Sequence, residues 1–497
     1  MARHTLELTV LADRDHLRPL TSQITGQLRD ALAAGRLATG ERLPSTRTLA
    51  EQLGVSRTVV TGAYAQLFAE GWVEGRHGSG TYVADGAPGR PRANSATQPA
   101  APGDHAAVAA RDRMLAPSVA PMIDLRPGIA WTAGIDGAAW RRAWRSAGTS
   151  VAAGLPDPRG SAALRAALTG YLRRGRGVHC SPGQIVVTRG VAGSLGLIAA
   201  ALLRPGDPVG VEEPGYPAAR AVFAAHGVRP VPCPVDSGGL RVDALPGGLR
   251  LVYVTPAHQY PLGGRLSVPR RRALTSWARA TGALIVEDDY DGEFRYDVAP
   301  LPALFGLDPE VVVYLGTTTK ILTPAMRVGW LAASPGLATR LASVGGTLGE
   351  YASGPAQDAL LSLIATGDLE RHVRHMRHDD ARRRAAMTAV FGAGDAGRLL
   401  GDEAGMHMVL ETSDPAARVA AAAAERGVAV ATLDRYFGGP VTRNGLVLGY
   451  GGARLPEVAR GCEILAEVLT SSRAGRAESP RGVRDHDSWG ALGHPKS

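Results

Sequence analysis

At 497 residues the chain is longer than one ordinary hydrophobic core serves, so two or three domains are expected. An apolar content of 45% with 20% charged residues is that of a folded globular protein and excludes a disordered or fibrous one. The net charge of +9 permits contact with a polyanion without demonstrating it.

No basic segment followed by an apolar stretch stands near the first residues, so no signal peptide is expected. The longest nearly apolar run, 191–203, is too short to span a bilayer and contains Gly193, Ser194 and Gly196. A cytoplasmic protein with no membrane partner is therefore expected. Cys180, Cys233 and Cys462 lie far apart, which suits three buried, reduced thiols better than a zinc site or a disulfide framework.

In chain order, Leu20, Ile24, Leu28 and Leu32 recur every four residues and predict a helix with one apolar face, closed by Gly35. Ser45 is placed to cap a second helix carrying Leu49 and Leu53 and ending at Gly54. Ser56 is placed to cap a third, with Val60, Tyr64 and Leu67 facing inward. This is the spacing of a helix-turn-helix. The runs 72–74 and 81–83 flank Gly75-Arg76-His77-Gly78-Ser79-Gly80 as the two strands of a β-hairpin wing. Residues 1–84 form this first unit. Residues 85–122, rich in Ala, Pro, Gly, Arg and Ser without periodicity, read as a flexible linker.

From 123 to 470, short β-branched runs alternate with longer Ala-, Leu- and Arg-rich helical stretches. Candidate strands are 184–188, 208–212, 249–255, 283–287, 311–315 and 328–331. Such alternation predicts an α/β domain with a mostly parallel sheet and helices on both faces. The Arg-, Gly- and Ser-rich residues 471–497 are expected to be a disordered tail.

The third helix of the first unit would enter a DNA major groove and expose Ser56, Arg57 and Thr58 at its N-terminal end. Arg47 and Arg57 suit guanine edges, whereas Arg76 and the wing amides around Gly78 suit phosphates. Charge alone does not carry this reading. Residues 36–83 hold five arginines against four glutamates. A small helical oligomerisation module with solvated arginines is the alternative.

Lysine usage is the sharpest compositional signal. Of 55 basic residues only Lys320 and Lys496 are lysines. A Schiff base needs a primary amine, which guanidinium does not supply. Lys320 ends Gly316-Thr317-Thr318-Thr319-Lys320, after a predicted strand and before Pro324 and Arg327. Thr317, Thr319 and Arg327 suit a phosphate dianion beside that amine. The turn Val187-Thr188-Arg189-Gly190-Val191-Ala192-Gly193 opens a helix whose free amides at Val191 and Ala192 suit an anion, a weak signal in isolation. In Glu213-Pro214-Gly215-Tyr216-Pro217 a rigid turn presents Tyr216, either to stack on a flat ring or simply to pack. The run 285–291, Ile-Val-Glu-Asp-Asp-Tyr-Asp, ends a strand in clustered carboxylates. One of them beside a pyridine nitrogen would hold it protonated and make the ring an electron sink. Solvated acids or a divalent cation are the alternatives, the cation disfavoured because no His or further acid follows at ligand spacing.

Two resemblances follow. Gly40-Glu41-Arg42-Leu43-Pro44-Ser45-Thr46-Arg47, Leu49-Ala50, Leu53-Gly54-Val55-Ser56-Arg57 and Gly78-Ser79-Gly80-Thr81-Tyr82-Val83 together resemble the DNA-binding domain of GntR-family regulators. The motifs of residues 123–470, taken in order, resemble fold type I pyridoxal-phosphate enzymes, the aminotransferase fold. That resemblance implies pyridoxal 5′-phosphate as cofactor, with Lys320 as its Schiff-base lysine and Asp288 paired with the pyridinium. It implies Tyr290 at the 3′-oxygen, Tyr216 stacked on the ring, and Thr317, Thr319 and Arg327 on the phosphate. It also implies a small C-terminal α/β subdomain and a homodimer. A GntR-type module joined to such a domain resembles the MocR group of regulators. Thr255-Pro256-Ala257-His258-Gln259-Tyr260-Pro261-Leu262-Gly263 and the run 287–296 look like that group's own variants, and His258 is placed with the cofactor-binding residues on that basis.

Departures from the enzymes matter. Aminotransferases usually carry Asn where Tyr260 falls, and a C-terminal Arg that clamps the substrate carboxylate where this chain has Val447, with Arg435 and Arg443 as possible substitutes. An apolar side chain cannot orient an amino acid, and orientation is much of catalytic power. The cofactor domain is therefore expected to sense rather than catalyse. The favoured reading is a regulator of vitamin B6 synthesis that binds double-stranded promoter DNA and answers to pyridoxal phosphate itself. A regulator of amine or amino-acid metabolism and a working aminotransferase with a DNA-binding appendage are the alternatives.

Overall fold

The computed structural model describes residues 10–13, 18–33, 37, 40–76, 80–84, 122–149, 154–296, 301–392 and 397–477. The expected linker up to residue 121, Gly35 at the first helix end, Gly78 in the wing and the tail from residue 478 lie outside these residues.

The N-terminal unit begins with α1 (Leu20–Ala33), α2 (Thr46–Leu53) and α3 (Arg57–Ala69), followed by strands β1 (Val73–Arg76) and β2 (Gly80–Val83), which pair antiparallel as the wing. The fourfold spacing holds, since Ile24, Leu28 and Leu32 are buried against Leu49, Val60, Tyr64 and Leu67. Ser45 caps α2, its hydroxyl accepting from the Thr48 amide at 3.1 Å, and Gly54 closes the helix in the left-handed region at φ 61°. Ser56 occupies the corresponding place before α3 but makes no side-chain capping bond.

The large domain is an α/β structure around an eight-stranded sheet. A short strand β3 (Ile123–Asp124) leads in. The sheet strands follow as β4 (Ile185–Thr188), β5 (Pro208–Glu213), β6 (Arg229–Asp236), β7 (Gly239–Leu240), β8 (Leu251–Val254), β9 (Leu284–Asp288), β10 (Val312–Thr317) and β11 (Gly329–Ala332). Their order is β4-β11-β10-β9-β8-β5-β6-β7. The central run from β10 to β6 is parallel, while β11 runs antiparallel to both of its neighbours. Alternate residues serve opposite layers. Ile285, Val312 and Val187 enter one hydrophobic cluster, whereas Val286, Val313 and Val186 enter the other. Covering both faces explains the nearly unbroken apolar runs. Each fully buried Val, Leu or Ile contributes about 1.5–3 kcal/mol.

All six candidate strands are present, with ends displaced by at most two residues. The proline-containing strand β6 was not anticipated. It lies near the sheet edge, with only the two-residue β7 beyond it, where prolines are tolerated. A second sheet, β12 (Arg398–Leu400), β13 (His407–Glu411), β15 (Ala431–Thr432) and β16 (Gly445–Gly449), forms the C-terminal subdomain, while β14 (Val428–Ala429) pairs with β3. The last helix, Leu455–Ala477, runs seven residues into the segment expected to be a tail. Its apolar residues up to Leu469 are buried, and the helical repeat continues past them.

The two units touch. Val268, at the start of the helix Val268–Thr281 in the large domain, packs in the hydrophobic cluster of the N-terminal unit. Its amide donates to the Glu70 carbonyl at 3.2 Å. The Arg272 guanidinium lies 4.5 Å from the Trp72 ring centroid. The buried Glu70 carboxylate accepts from Arg29, Gln66 and the Trp72 indole.

Ser45→Ala is expected to destabilise the N-terminal unit by about 1 kcal/mol and Ser56→Ala by clearly less, because only Ser45 holds a helix amide. Urea unfolding of the two variants side by side measures the difference, and equal losses would contradict the capping geometry.

Candidate functional site

Strands β8, β9 and β10 deliver their carboxyl ends to one cavity of about 350 Å³, at the low end of the ~300–1,000 Å³ usual for small-molecule sites. Nine residues singled out from sequence line it together: Val191, Ala192, Tyr216, Asp288, Tyr290, Thr317, Thr319, Lys320 and Arg327.

The carboxylates at the end of β9 are buried, so each needs a partner. Glu287 accepts from the backbone amides of Leu304 and Phe305. Asp289 is gripped by both arms of the fully buried Arg176 and by the Tyr314 hydroxyl. Glu293 accepts from Tyr171, and Asp291 lies 2.9 Å from His258 Nδ1. Asp288 differs. Its Oδ2 accepts from the Tyr253 hydroxyl at 2.5 Å, but its buried Oδ1 has no hydrogen-bond partner among the described residues. Burial pushes its carboxyl up to about 7, against the lowering effect of Tyr253. The lone oxygen at a cavity wall suits a ligand N–H whose positive charge would restore the carboxylate.

Lys320 Nζ donates to the Gly128 carbonyl at 2.7 Å. Burial lowers its pKa to about 8, although Asp291 and Asp288 pull the other way. A side chain at Gly128, which has φ 94°, would lie 3.3 Å from that amine, so the glycine lets the backbone approach it. Thr317 Oγ1 accepts from the Thr319 amide at 3.1 Å and donates to the Thr319 hydroxyl. Arg327 has φ 52° and is the only non-glycine residue in the left-handed region among the described residues. Backbone held in that region carries a cost and is concentrated at functional sites. Gly190 caps the helix Val191–Leu202, and a Cβ at Gly329 would come within 2.7 Å of the Gly190 Cα, which keeps this turn, with its free helix-end amides, close to the sheet.

His258 departs from its expected place. It does not line the cavity but is buried one side chain behind it, with Nδ1 3.0 Å from the Tyr290 hydroxyl. The ring fits a slot closed by Gly405 and Gly263, where any Cβ would come within about 3 Å of it. Its hydrogen bond to Tyr290 links it to the cavity wall. The fold also brings His407 from β13 to His258 and Asp291, with ligand atoms within 4.8 Å of one another. No spacing in the sequence showed this grouping. His407 Nε2 is 2.9 Å from the Pro261 carbonyl.

Tyr260 lines the cavity, where its ring makes edge contacts with Tyr216 and Tyr290. Val447 is fully buried in β16, Arg435 is exposed on its turn, and Arg443 faces Glu411 at 3.6 Å. None of the three lines the cavity. Sequence reasoning missed Tyr253, Arg126 and Gly128. The alternation within β8 places Tyr253 on the side of the sheet that meets Asp288, and the Arg-Pro-Gly turn after β3 marks the other two.

In the N-terminal unit Arg47, Ser56, Arg57 and Thr58 are exposed. Arg47 pairs with Glu51 at 3.1 Å, and Arg57 Nε donates to Thr46 Oγ1 at 3.3 Å. The Arg76 side chain and Gly78 lie outside the described residues. Arg42, also exposed, joins this surface because its guanidinium lies against Gly80 of the wing.

Residues 20–83 match the bacterial regulatory proteins of the gntR family, and residues 135–438 match aminotransferase class I and II. The chain is 37% identical to the HTH-type pyridoxine biosynthesis transcriptional regulator PdxR of Corynebacterium glutamicum, over 87% of this chain and 92% of that protein. It is 36% identical to the probable rhizopine catabolism regulatory protein MocR of Rhizobium meliloti, over 89% and 92% of the two chains. Among solved structures, an archaeal alanine:glyoxylate aminotransferase superposes with a TM-score of 0.69 at 23% identity, over 74% of this chain and 96% of that one, a likeness of fold. No helix among the described residues is long and apolar enough to cross a membrane. With a gntR-type helix-turn-helix joined to an aminotransferase domain along its whole matched length, the chain belongs to the MocR-type transcriptional regulators of the GntR family.

Proposed function

We propose that this regulator binds pyridoxal 5′-phosphate through Lys320 and, according to occupancy, controls promoters of vitamin B6 synthesis in the cytoplasm. The observation that carries the reading is the convergence, in one cavity, of a buried amine, a carboxylate oxygen without a partner and an anion-binding cup. Pyridoxal phosphate supplies an aldehyde for the amine, a ring nitrogen for Asp288 Oδ1 and a dianion for Thr317, Thr319, Arg327 and the amides of Val191 and Ala192. Tyr216 covers the ring and Tyr290 meets its 3′-oxygen. The kinship with a pyridoxine biosynthesis regulator supports vitamin B6 as the regulated pathway. Among the described residues no C-terminal guanidinium lines the cavity, which supports a sensor rather than a catalyst.

Ser56, Arg57 and Thr58 at the start of α3, with Arg47, face the major groove. Arg42, Arg76 and the wing around Gly78 face phosphates. Two copies acting as a homodimer would present two such surfaces to paired half-sites.

Borohydride reduction of the cofactor-loaded protein should fix the label on the peptide containing residue 320, and Lys320→Ala should take up none. A reduced label elsewhere would refute the assignment. Below pH 8 the attachment rate should rise about tenfold per pH unit and level off above it, since the neutral amine is the nucleophile and burial lowers Lys320 to about 8. Stopped-flow absorbance against pH measures this, and a rise continuing to pH 10 would contradict it. Arg57→Ala should cost about 1–3 kcal/mol on the specific operator, whereas Arg42→Ala should weaken all sequences and lower the salt slope by about 1. Gel shifts on operator and random DNA at several salt concentrations separate the two. A panel of amino donors and keto acids decides the role of the cavity. Sustained turnover would make the chain an enzyme, and a cofactor-dependent change in promoter occupancy without turnover supports the sensor.

A further inference from the structure

Two guanidiniums line the cavity. Arg327 belongs to the anion-binding cup, while Arg126 stands on the segment 125–129, whose Gly128 carbonyl holds Lys320. Arg126 is not free. Its Nε donates to Asp124 Oδ1 at 2.9 Å, its terminal nitrogen to Asp124 Oδ2 at 2.6 Å, and its own amide to Oδ1 at 3.0 Å. This two-armed grip is the geometry with which an arginine binds a ligand carboxylate. Here a carboxylate two residues earlier in the chain occupies the fork. Both side chains are only about three-quarters buried, at 24% and 23% exposure, so the pair stands at an accessible wall rather than in the core.

We infer that Asp124 acts as a built-in carboxylate on Arg126 and thereby closes the cavity to amino acids, making Asp124 the residue that sets effector specificity. An amino acid whose amine meets the cofactor at Lys320 would need a cation nearby for its carboxylate. Val447, Arg435 and Arg443 supply none, and Arg126 is the remaining arginine outside the anion-binding cup. A partner tethered through so short a stretch acts at an effective concentration of millimolar or more, so a free carboxylate below that level does not displace it. The same pairing cancels the local charge, so the cavity offers no long-range pull on an anionic ligand. The inference deepens the sensor reading and rests on cofactor binding at Lys320, because it states what the loaded cavity refuses.

The test uses the full-length protein supplied with pyridoxal phosphate. Cofactor loading is read from visible absorbance before any amino acid is added, and the response to alanine, glutamate and alanine methyl ester is read afterwards. The wild type should show no saturable response to either amino acid below about 1 mM. Asp124→Asn keeps an oxygen for the Arg126 amide but frees the fork, and should gain a saturable response to the amino acids at least tenfold stronger than wild type, with no matching gain for the methyl ester. Asp124→Asn combined with Arg126→Leu should lose that gain. The inference is overturned if Asp124→Asn responds as wild type does, if the wild type already binds amino acids tightly, or if the gain survives without Arg126. It is also overturned if Asp124→Asn no longer loads cofactor while wild type does, since Asp124 would then only pin the segment that carries Gly128. Wild type that stays colourless with cofactor supplied would instead defeat the underlying reading of the cavity.

Discussion

Five acidic side chains within seven residues, Glu287 to Glu293, end a central strand in the middle of the protein, four of them buried and Glu293 half-buried, and accommodating them is the constraint around which the site is organised. Buried carboxylates are tolerated only when hydrogen-bonded or paired. The structure meets the requirement from four directions: Arg176 and Tyr171 from one helix, Tyr314 from β10, the backbone amides of Leu304 and Phe305, and His258 from the turn after β8. The Arg176–Asp289 pair, with both side chains at 0% exposure, fixes the turn on which Asp288 and Tyr290 sit. Once its neighbours are satisfied, Asp288 alone among these acids keeps a buried oxygen with no partner among the described residues, and it faces a cavity.

The same economy explains why the site lies where it does. Parallel strands expose their carboxyl ends on one side, and the loops that leave them are free to carry chemistry while the sheet stays rigid. β8 gives Tyr253 and the Tyr260 turn, β9 gives Asp288, and β10 gives Thr317, Thr319 and Lys320. The second sheet contributes little to this pocket. Val447 and Tyr436 instead build a small hydrophobic cluster with Tyr260.

Much of the site was legible because its chemistry restricts residue type. A lone lysine among arginines, hydroxyls two apart before it, and acids at a strand end each declare themselves in one dimension. The helices of the N-terminal unit were legible through their fourfold apolar spacing and the serine before α2. The rest depends on contacts that sequence spacing does not encode. His258 belongs to a motif but is screened from the cavity by Tyr290, an outcome set by two glycines, one of them more than a hundred residues away. Arg126 and Gly128 sit next to a compositionally plain linker and are brought to the cavity by backbone pairing of residues 123–125 with β14 and with Gly449, late in the chain. The helix past residue 470 shows the limit of composition, since Arg, Ser and Gly do not prevent a helix that already runs from continuing.

Only six residues separate Tyr260, in the cavity wall, from Ser267, which faces Gly71 of the DNA-binding unit. The next residue, Val268, is shared between the two bodies as core. An operator that demands another relative orientation of the units is bound only after the Glu70–Val268 hydrogen bond and the Trp72–Arg272 stacking are given up. Part of the free energy of any DNA recognition would thus be set by a seam between the two units, through packing that lies outside the recognition helix.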